Sequence, residues 1–282
     1  MRRLKTLAVI GVGLIGGSFA MALRRAGVAA NVVGYDRDPS AMQLAIELGV
    51  IDTAADSVSE ATMGADLVLV AVPVRATAMV LRDLGPAIDA GAVVTDVGST
   101  KGEVVRTARN ELRARFARFV PGHPIAGRET SGVGSANAEL FRGARVVLTP
   151  DEATAGDAAE LVRGAWEAVG ARIAVMTPEE HDRIFAAVSH LPHLLSFALV
   201  SELAAREDAA ELLGFAGGGF RDFTRIAASS PEMWRDIALA NRAALKEELD
   251  RYRHALGQLA VALEARDGAE LERIFTRSIP AA

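Results

Sequence analysis

The sequence predicts an α/β chain in which a doubly wound, mostly parallel sheet over residues 1–176 is followed by an all-helical C-terminal domain over residues 177–282. Three observations carry that prediction. From Leu7 to about Met176 short apolar runs alternate with helical patterns, the rhythm of parallel strands joined by crossover helices. A turn patterned in glycine joins the first apolar run to the first helix. Beyond Thr177-Pro178-Glu179-Glu180, where Thr as N-cap, Pro at the first helical position and two acids announce a helix, no strand pattern follows. The chain has 282 residues, 50% of them hydrophobic, enough for a large core, which excludes disorder as its main state.

Strands are expected over Leu7 to Ile10, Asn31 to Tyr35, Asp66 to Val72, Ala92 to Thr95, Phe119 to Val120, Arg145 to Leu148 and Arg172 to Met176, each ending near Gly, Pro or a polar residue. Between them Ser18 to Arg25, Ala41 to Leu48, Thr77 to Leu84, Gly102 to Phe116 and Ala155 to Val169 read as helices. The C-terminal part reads as helices broken at Gly214 to Gly219 and at Ser229-Ser230-Pro231. Its last helix, from Pro231 to about Ala265, carries Trp234, Ile237, Leu245, Leu249, Tyr252, Leu256 and Leu259 and suits dimerisation or, alternatively, folding back on its own domain.

The uncharged stretch from Thr6 to Leu23 has the apolarity of a signal peptide or membrane span. However, Gly11, Gly13, Gly16 and Gly17 interrupt it in a pattern those segments do not need. Gly11-Val12-Gly13-Leu14-Ile15-Gly16 follows a strand, opens a helix, and precedes Asp36 by 20 residues counted from Gly16. The first glycine permits the tight turn, the second lets a pyrophosphate reach the backbone, and the third lets the helix pack closely, with phosphates at the helix N-terminus. Asp36 then meets the adenine ribose hydroxyls and disfavours a 2′-phosphate, so NAD is expected, with Arg37 leaving NADP possible. Val72 and Pro73 end the run that starts at Asp66, at the same carboxyl edge, where open parallel sheets bind ligands.

The next loop, Asp96 to Lys101, places Ser99 to reach a substrate hydroxyl or to cap the following helix, and Lys101 to touch phosphate or carboxylate. Pro121-Gly122-His123-Pro124-Ile125-Ala126-Gly127 holds His123 in a stiff loop. An imidazole of ordinary pKa near 6.5 there removes a hydroxyl proton at neutral pH. Glu129 either gates the pocket or is simply exposed. His190 and His193 lie three apart near a Pro192 kink and read as facing the crevice, with no third ligand for a metal. Arg221 and Arg225 suit a substrate carboxylate, one of them instead pairing with Asp222, whereas His181 and His254 read as solvated.

Composition narrows the function. A net charge of -5 gives no basic excess for nucleic acid, and the absence of cysteine removes thiolate metal sites, iron–sulfur clusters and a cysteine nucleophile. Only Lys5, Lys101 and Lys246 are lysines, which limits Schiff-base chemistry.

Together these motifs, with Gly217-Gly218-Gly219-Phe220-Arg221-Asp222-Phe223-Thr224-Arg225-Ile226-Ala227 and Met233-Trp234-Arg235-Asp236, resemble the prephenate and arogenate dehydrogenases of tyrosine biosynthesis over nearly the whole chain. The resemblance implies a Rossmann domain with a helical dimerisation domain, a cytoplasmic homodimer and a small-molecule substrate. It also implies His123 as catalytic base assisted by Ser99, Arg225 on a substrate carboxylate, His190 and His193 lining the pocket, and Glu129 guarding its entrance. Neither a chorismate mutase segment nor a C-terminal regulatory domain is expected. A β-hydroxyacid dehydrogenase shares the plan but needs a lysine in its helical domain, where only Lys246 is found. An enzyme for an amino analogue of prephenate and a non-catalytic dinucleotide sensor remain as alternatives.

Overall fold

The computed structural model describes residues 3–127 and 130–277. Six parallel strands form the main sheet: β1 Leu4–Ile10, β2 Ala29–Tyr35, β3 Thr53–Ala54, β4 Leu67–Val70, β5 Val93–Asp96 and β6 Phe119–Val120, in the order β3-β2-β1-β4-β5-β6. Three more, β7 Gly122–Ile125, β8 Arg145–Leu148 and β9 Arg172–Val175, make a second sheet with β7 antiparallel and β9 parallel to β8. The helices of this part are α1 Leu14–Arg25, α2 Pro39–Glu47, α3 Val58–Thr62, α4 Val74–Leu84, α5 Gly102–Leu112 and α6 Gly156–Ala168.

The main sheet is buried on both faces. Along β1, Leu7 and Val9 join one core with Phe19 and Leu23 of α1 and Trp166 of α6. Ala8 and Ile10 join the opposite core with Leu81 and Leu84 of α4 and Val104 and Ala108 of α5. The same alternation in β4 explains why its sequence is an unbroken apolar run, since a strand covered on both faces has no polar side. Strand order reverses between β1 and β4, which opens a crevice at their carboxyl ends.

Several expectations about this part change. The strands β8 and β9 were expected in the parallel sheet but build the second one, because the chain leaves the first at Pro121 and β7, which follows at once, pairs antiparallel with β8. His123 therefore lies in a strand, opposite Val147, and not in a loop; Pro124 is tolerated because β7 is an edge strand. The short β3 and α3 were not anticipated, and the helix expected to run to Phe116 ends at Leu112, followed by a 3₁₀ segment entered through Arg113 at φ 49°. The apolar N-terminal stretch divides into β1 and α1.

The rest is helical: α7 Pro178–Phe185, α8 Leu191–Ala204, α9 Ala209–Gly214, α10 Gly218–Thr224, α11 Pro231–Ala240, α12 Arg242–Glu264 and α13 Gly268–Thr276. A capping box at Thr177 and Glu180 starts α7. A π-helical turn, Ala186–His190, joins α7 to α8 just before Pro192, whose missing N–H disturbs the hydrogen-bond ladder there. The long last helix is two helices broken at Asn241, whose side chain serves another purpose described below. Among the described residues, Pro178–Ala204 is the one stretch long and apolar enough to cross a membrane. Val188 within it stays 68% exposed, as suits a helix facing a partner.

Trp166 is fully buried and packs on Phe19, with ring centroids 4.3 Å apart, and on Phe141, 5.1 Å away. Trp166→Ala is expected to destabilise the chain by about 3–5 kcal/mol, read from its urea unfolding midpoint.

Candidate active site

The glycine turn is shaped by close approach. A Cβ on Gly11, which sits at φ +96°, would fall 2.3 Å from the Ala71 carbonyl oxygen, and one on Gly16 would fall 2.1 Å from the Gly11 carbonyl oxygen. Gly13 differs, since nothing lies within 4 Å of where its Cβ would be. The open space faces the start of α1, where Leu14 and Ile15 are half-buried, no side chain caps the helix and the first turn holds no acid. Free amides and a positive helix end beside open space fit the pyrophosphate of a dinucleotide. Val72 lies against the turn, its Cγ1 3.2 Å from the position of a Gly11 Cβ, and Pro73 follows as the N-cap of α4.

Asp36 stands at the end of β2. Its Oδ2 accepts from the Val12 amide at 3.0 Å and its Oδ1 from the Asp38 amide at 3.1 Å. The carboxylate thus fixes the turn as well as standing at the ribose position, with Arg37 exposed beside it.

Asp96 ends β5 and forms a fully buried pair with Lys101, Nζ to Oδ2 2.5 Å. The same ammonium donates to the Gly122 carbonyl at 2.6 Å, and Asp96 Oδ1 accepts from the Gly122 amide at 3.1 Å. Both sides of Gly122 are held, which sets the residue after it, His123. Lys101 therefore does not reach phosphate or a substrate carboxylate as expected, because its charge is spent inside. Burial lowers its pKa, against the pull of Asp96. Ser99 is half-buried in the loop between, and its hydroxyl makes no hydrogen bond among the described residues. It does not cap α5. Asp182 does, accepting from the Lys101 amide at 2.8 Å and the Gly102 amide at 2.8 Å.

His123 makes one hydrogen bond among the described residues, Nδ1 to His181 Nε2 at 2.8 Å, and Phe185 packs against both rings. His181 in turn bonds Asp182 through Nδ1 at 2.8 Å. His181, expected on a solvated face, is fully buried. Burial, then repulsion from His181, Lys101 and His190, holds His123 well below the ordinary histidine value, so it is neutral at pH 7.

His190 accepts at Nδ1 from Asn241, 3.1 Å, and Asn241 also donates to the Asp182 carbonyl at 2.7 Å. Its buried Nε2 has no partner with hydrogen-bond geometry, although the Ser99 backbone lies beside it. His193 donates from Nδ1 to the Ser189 carbonyl at 2.8 Å and stacks on Trp234, whose buried indole N–H is also without a partner. Arg225 is exposed and near enough to His193 to depress its pKa further. Arg221 donates to the Ala216 carbonyl, 2.9 Å, and no ion pair to Asp222 occurs among the described residues. Glu129 lies outside the described residues. Among the described residues no cluster suits a metal ion.

Sequence reading thus missed His181, Asp182 and Asn241 as parts of the site. A signal existed for the first, since Pro178, His181 and Phe185 share the helical spacing of the buried face. Asn241 left none, being placed by the break it occupies.

Burial pushes His190 down to about 4 from 6.5. Neutral when folded, but protonated below pH 6.5 once unfolded, it contributes stability that is lost as pH falls from 6.5 toward 4, about 3 kcal/mol at full extent. Urea titrations across that range should show the loss, and His190→Gln should flatten it by a similar amount.

Comparison with known proteins agrees with this geometry. Residues 19–175 match the prephenate dehydrogenase nucleotide-binding domain and residues 177–277 the prephenate dehydrogenase dimerisation domain. The cyclohexadienyl dehydrogenase of Zymomonas mobilis is 37% identical over 97% of this chain and 94% of its own. The prephenate dehydrogenase of Bacillus subtilis is 38% identical over 96% of this chain and 73% of its own. Among solved structures, prephenate dehydrogenase from Aquifex aeolicus in complex with hydroxyphenyl propionate and NAD+ superposes with a TM-score of 0.90 at 37% identity, over 98% of this chain and 97% of that one. Arogenate dehydrogenase of Synechocystis gives 0.83 at 32% identity, over 98% of each chain. With a half-buried, neutral histidine at the crevice, a dinucleotide turn beside it and both family domains along its length, the chain belongs to the prephenate dehydrogenase family.

Proposed function

We propose that the chain catalyses the NAD-dependent oxidative decarboxylation of prephenate, of arogenate, or of both, giving 4-hydroxyphenylpyruvate or tyrosine in tyrosine biosynthesis. The observation that carries this is His123, neutral and set at the crevice through its neighbour Gly122, which is held at the end of β5, next to β4 and two strands from β1 and its dinucleotide turn. NAD bound at the α1 N-terminus supplies the hydride acceptor. Gly11, Gly13 and Gly16, with Leu14, Ile15, Val72 and Pro73, shape its seat, and Asp36 and Arg37 face its ribose.

His123 takes the proton of the ring hydroxyl as hydride leaves the same carbon, with Ser99 beside it to hold that hydroxyl. The resulting dienone accepts the electron pair of the breaking carboxylate bond, and aromatisation drives loss of carbon dioxide. Arg225 holds a substrate carboxylate, where a planar fork of donors suits two oxygens. His190 and His193 line the pocket, and the unpartnered indole N–H of Trp234 gives a further buried donor to satisfy. Residues 1–176 then form the cofactor domain and residues 177–282 the substrate and dimerisation domain, joined as a homodimer through the apolar helices, in the cytoplasm.

Purified protein given prephenate and arogenate, each with NAD and NADP, should form reduced cofactor from at least one pair, NAD preferred. Silence in all four would turn the reading toward the amino-analogue enzyme or the sensor. His123→Asn should lower turnover roughly 10²–10⁴-fold with NAD affinity unchanged. Arg225→Ala should chiefly raise KM, and normal saturation would remove it from substrate binding.

A further inference from the structure

The site contains a second buried histidine that the reaction as written does not use. His181 is fully buried between His123 and Asp182, with a hydrogen bond of 2.8 Å to each. We propose that Asp182 and His181 are positioning residues that lock His123 in one tautomer and take over its proton during turnover. This rests on His123 as the base and extends that reading.

The direction of the two bonds follows from which atoms own protons. The Asp182 carboxylate also accepts from the Lys101 and Gly102 amides, at the positive N-terminus of α5, and donors on both oxygens keep it ionised. Burial raises its pKa, but the bonds from His181, Lys101 and Gly102 outweigh that and hold it below its ordinary value. An ionised carboxylate only accepts, so His181 carries its proton on Nδ1 and presents a bare Nε2. His123 must then donate from Nδ1, which leaves its own Nε2 unprotonated, without a partner among the described residues, and free for a substrate hydroxyl. The tautomer a base needs is imposed from the helical part of the chain.

The same line of atoms gives the proton somewhere to go. The hydroxyl O–H of the substrate breaks and an N–H forms at His123 Nε2, while the O–H electron pair becomes the carbonyl as hydride passes to NAD. The His123 Nδ1–H then breaks and an N–H forms at His181 Nε2. His181 ends as an imidazolium against the Asp182 carboxylate, and His123 returns to neutral. Five charged or titratable groups set where the charge is tolerated: Asp182 on α7, Lys101 at the start of α5, Asp96 at the end of β5, His190 on the π-helical turn, and His123 itself. Those facing His123 all oppose a cation there. Burial, the largest influence, and then Lys101 oppose one on His181 too and hold its pKa below the ordinary value, but the bond to Asp182, with further attraction from Asp182 and Asp96, gives a cation there a support that His123 lacks.

Five histidines make the full-length protein tractable by selective ¹⁵N-histidine labelling, with single substitutions assigning each ring. The expected spectrum at neutral pH shows His123 and His181 both protonated at Nδ1 and bare at Nε2. Kinetically, His181→Gln keeps an acceptor for His123 but cannot take a proton. It should lower kcat about 10–100-fold with KM little changed, and move the acid limb of the kcat profile to lower pH, which a loss of packing alone would not do. Asp182→Asn should act the same way, but it also uncaps α5, so His181→Gln is the deciding variant. An Nε2-protonated His123, or a His181→Gln enzyme with wild-type kcat and pH profile while His123→Asn is inactive, overturns the relay and leaves His123 as base. An active His123→Asn enzyme overturns the base assignment itself.

Discussion

Asp182 joins the two halves of this protein by an interaction that neither half supplies alone. Helix α5 begins without a capping side chain of its own, so its first amides are left for a carboxylate projected from α7. That contact docks the helical part at the carboxyl edge of the parallel sheet, beside the loop that carries Ser99. The backbone carbonyl of the same residue takes the Asn241 amide, which orients His190. One residue thus fixes the seam between the domains, the start of α5 and the two imidazoles that flank the crevice.

A second buried ionic group works on the opposite wall. The pair of Asp96 and Lys101 carries a large desolvation cost, and its value as stability is correspondingly small. What it provides is placement. Between them the two side chains grasp the amide and the carbonyl of Gly122, a residue with no side chain to block either approach; a Cβ there would lie 2.9 Å from the Asp96 carbonyl oxygen. Strand β7 is an edge strand of a small sheet and has few other restraints. Anchoring its second-sheet start to the end of β5 brings His123 over the main sheet's crevice.

The nucleotide turn follows the same economy. Asp36 bonds the Val12 amide in the middle of the glycine pattern, so the residue read as a ribose ligand also supports the loop that holds the phosphates. The neutral state of His123 and the ionised state of Asp182 then divide the labour of the site, one ring able to accept a proton and one carboxylate able to balance it.

Much of this was legible in the sequence because it is local. Apolar runs spaced by helices specify a sheet covered on both faces, the glycine spacing specifies a turn with phosphates at a helix end, and Thr177 to Glu180 specifies where the helical part begins. These are properties of a few consecutive residues and need no knowledge of what packs against them. The identity of His123 as a candidate base was legible too, from its motif. Its strand, its partner and its tautomer were not, since they depend on Gly122, Lys101, His181 and Asp182, which meet only through the fold. Lys101 reads as a cation for a ligand's phosphate or carboxylate and His181 as a solvated ring because charge and polarity predict exposure when nothing else is known. Each has a carboxylate close by in sequence, Asp96 and Asp182, but only the tertiary structure buries the pairs and sets them against Gly122 and His123, which turns two ordinary polar residues into the framework of the site.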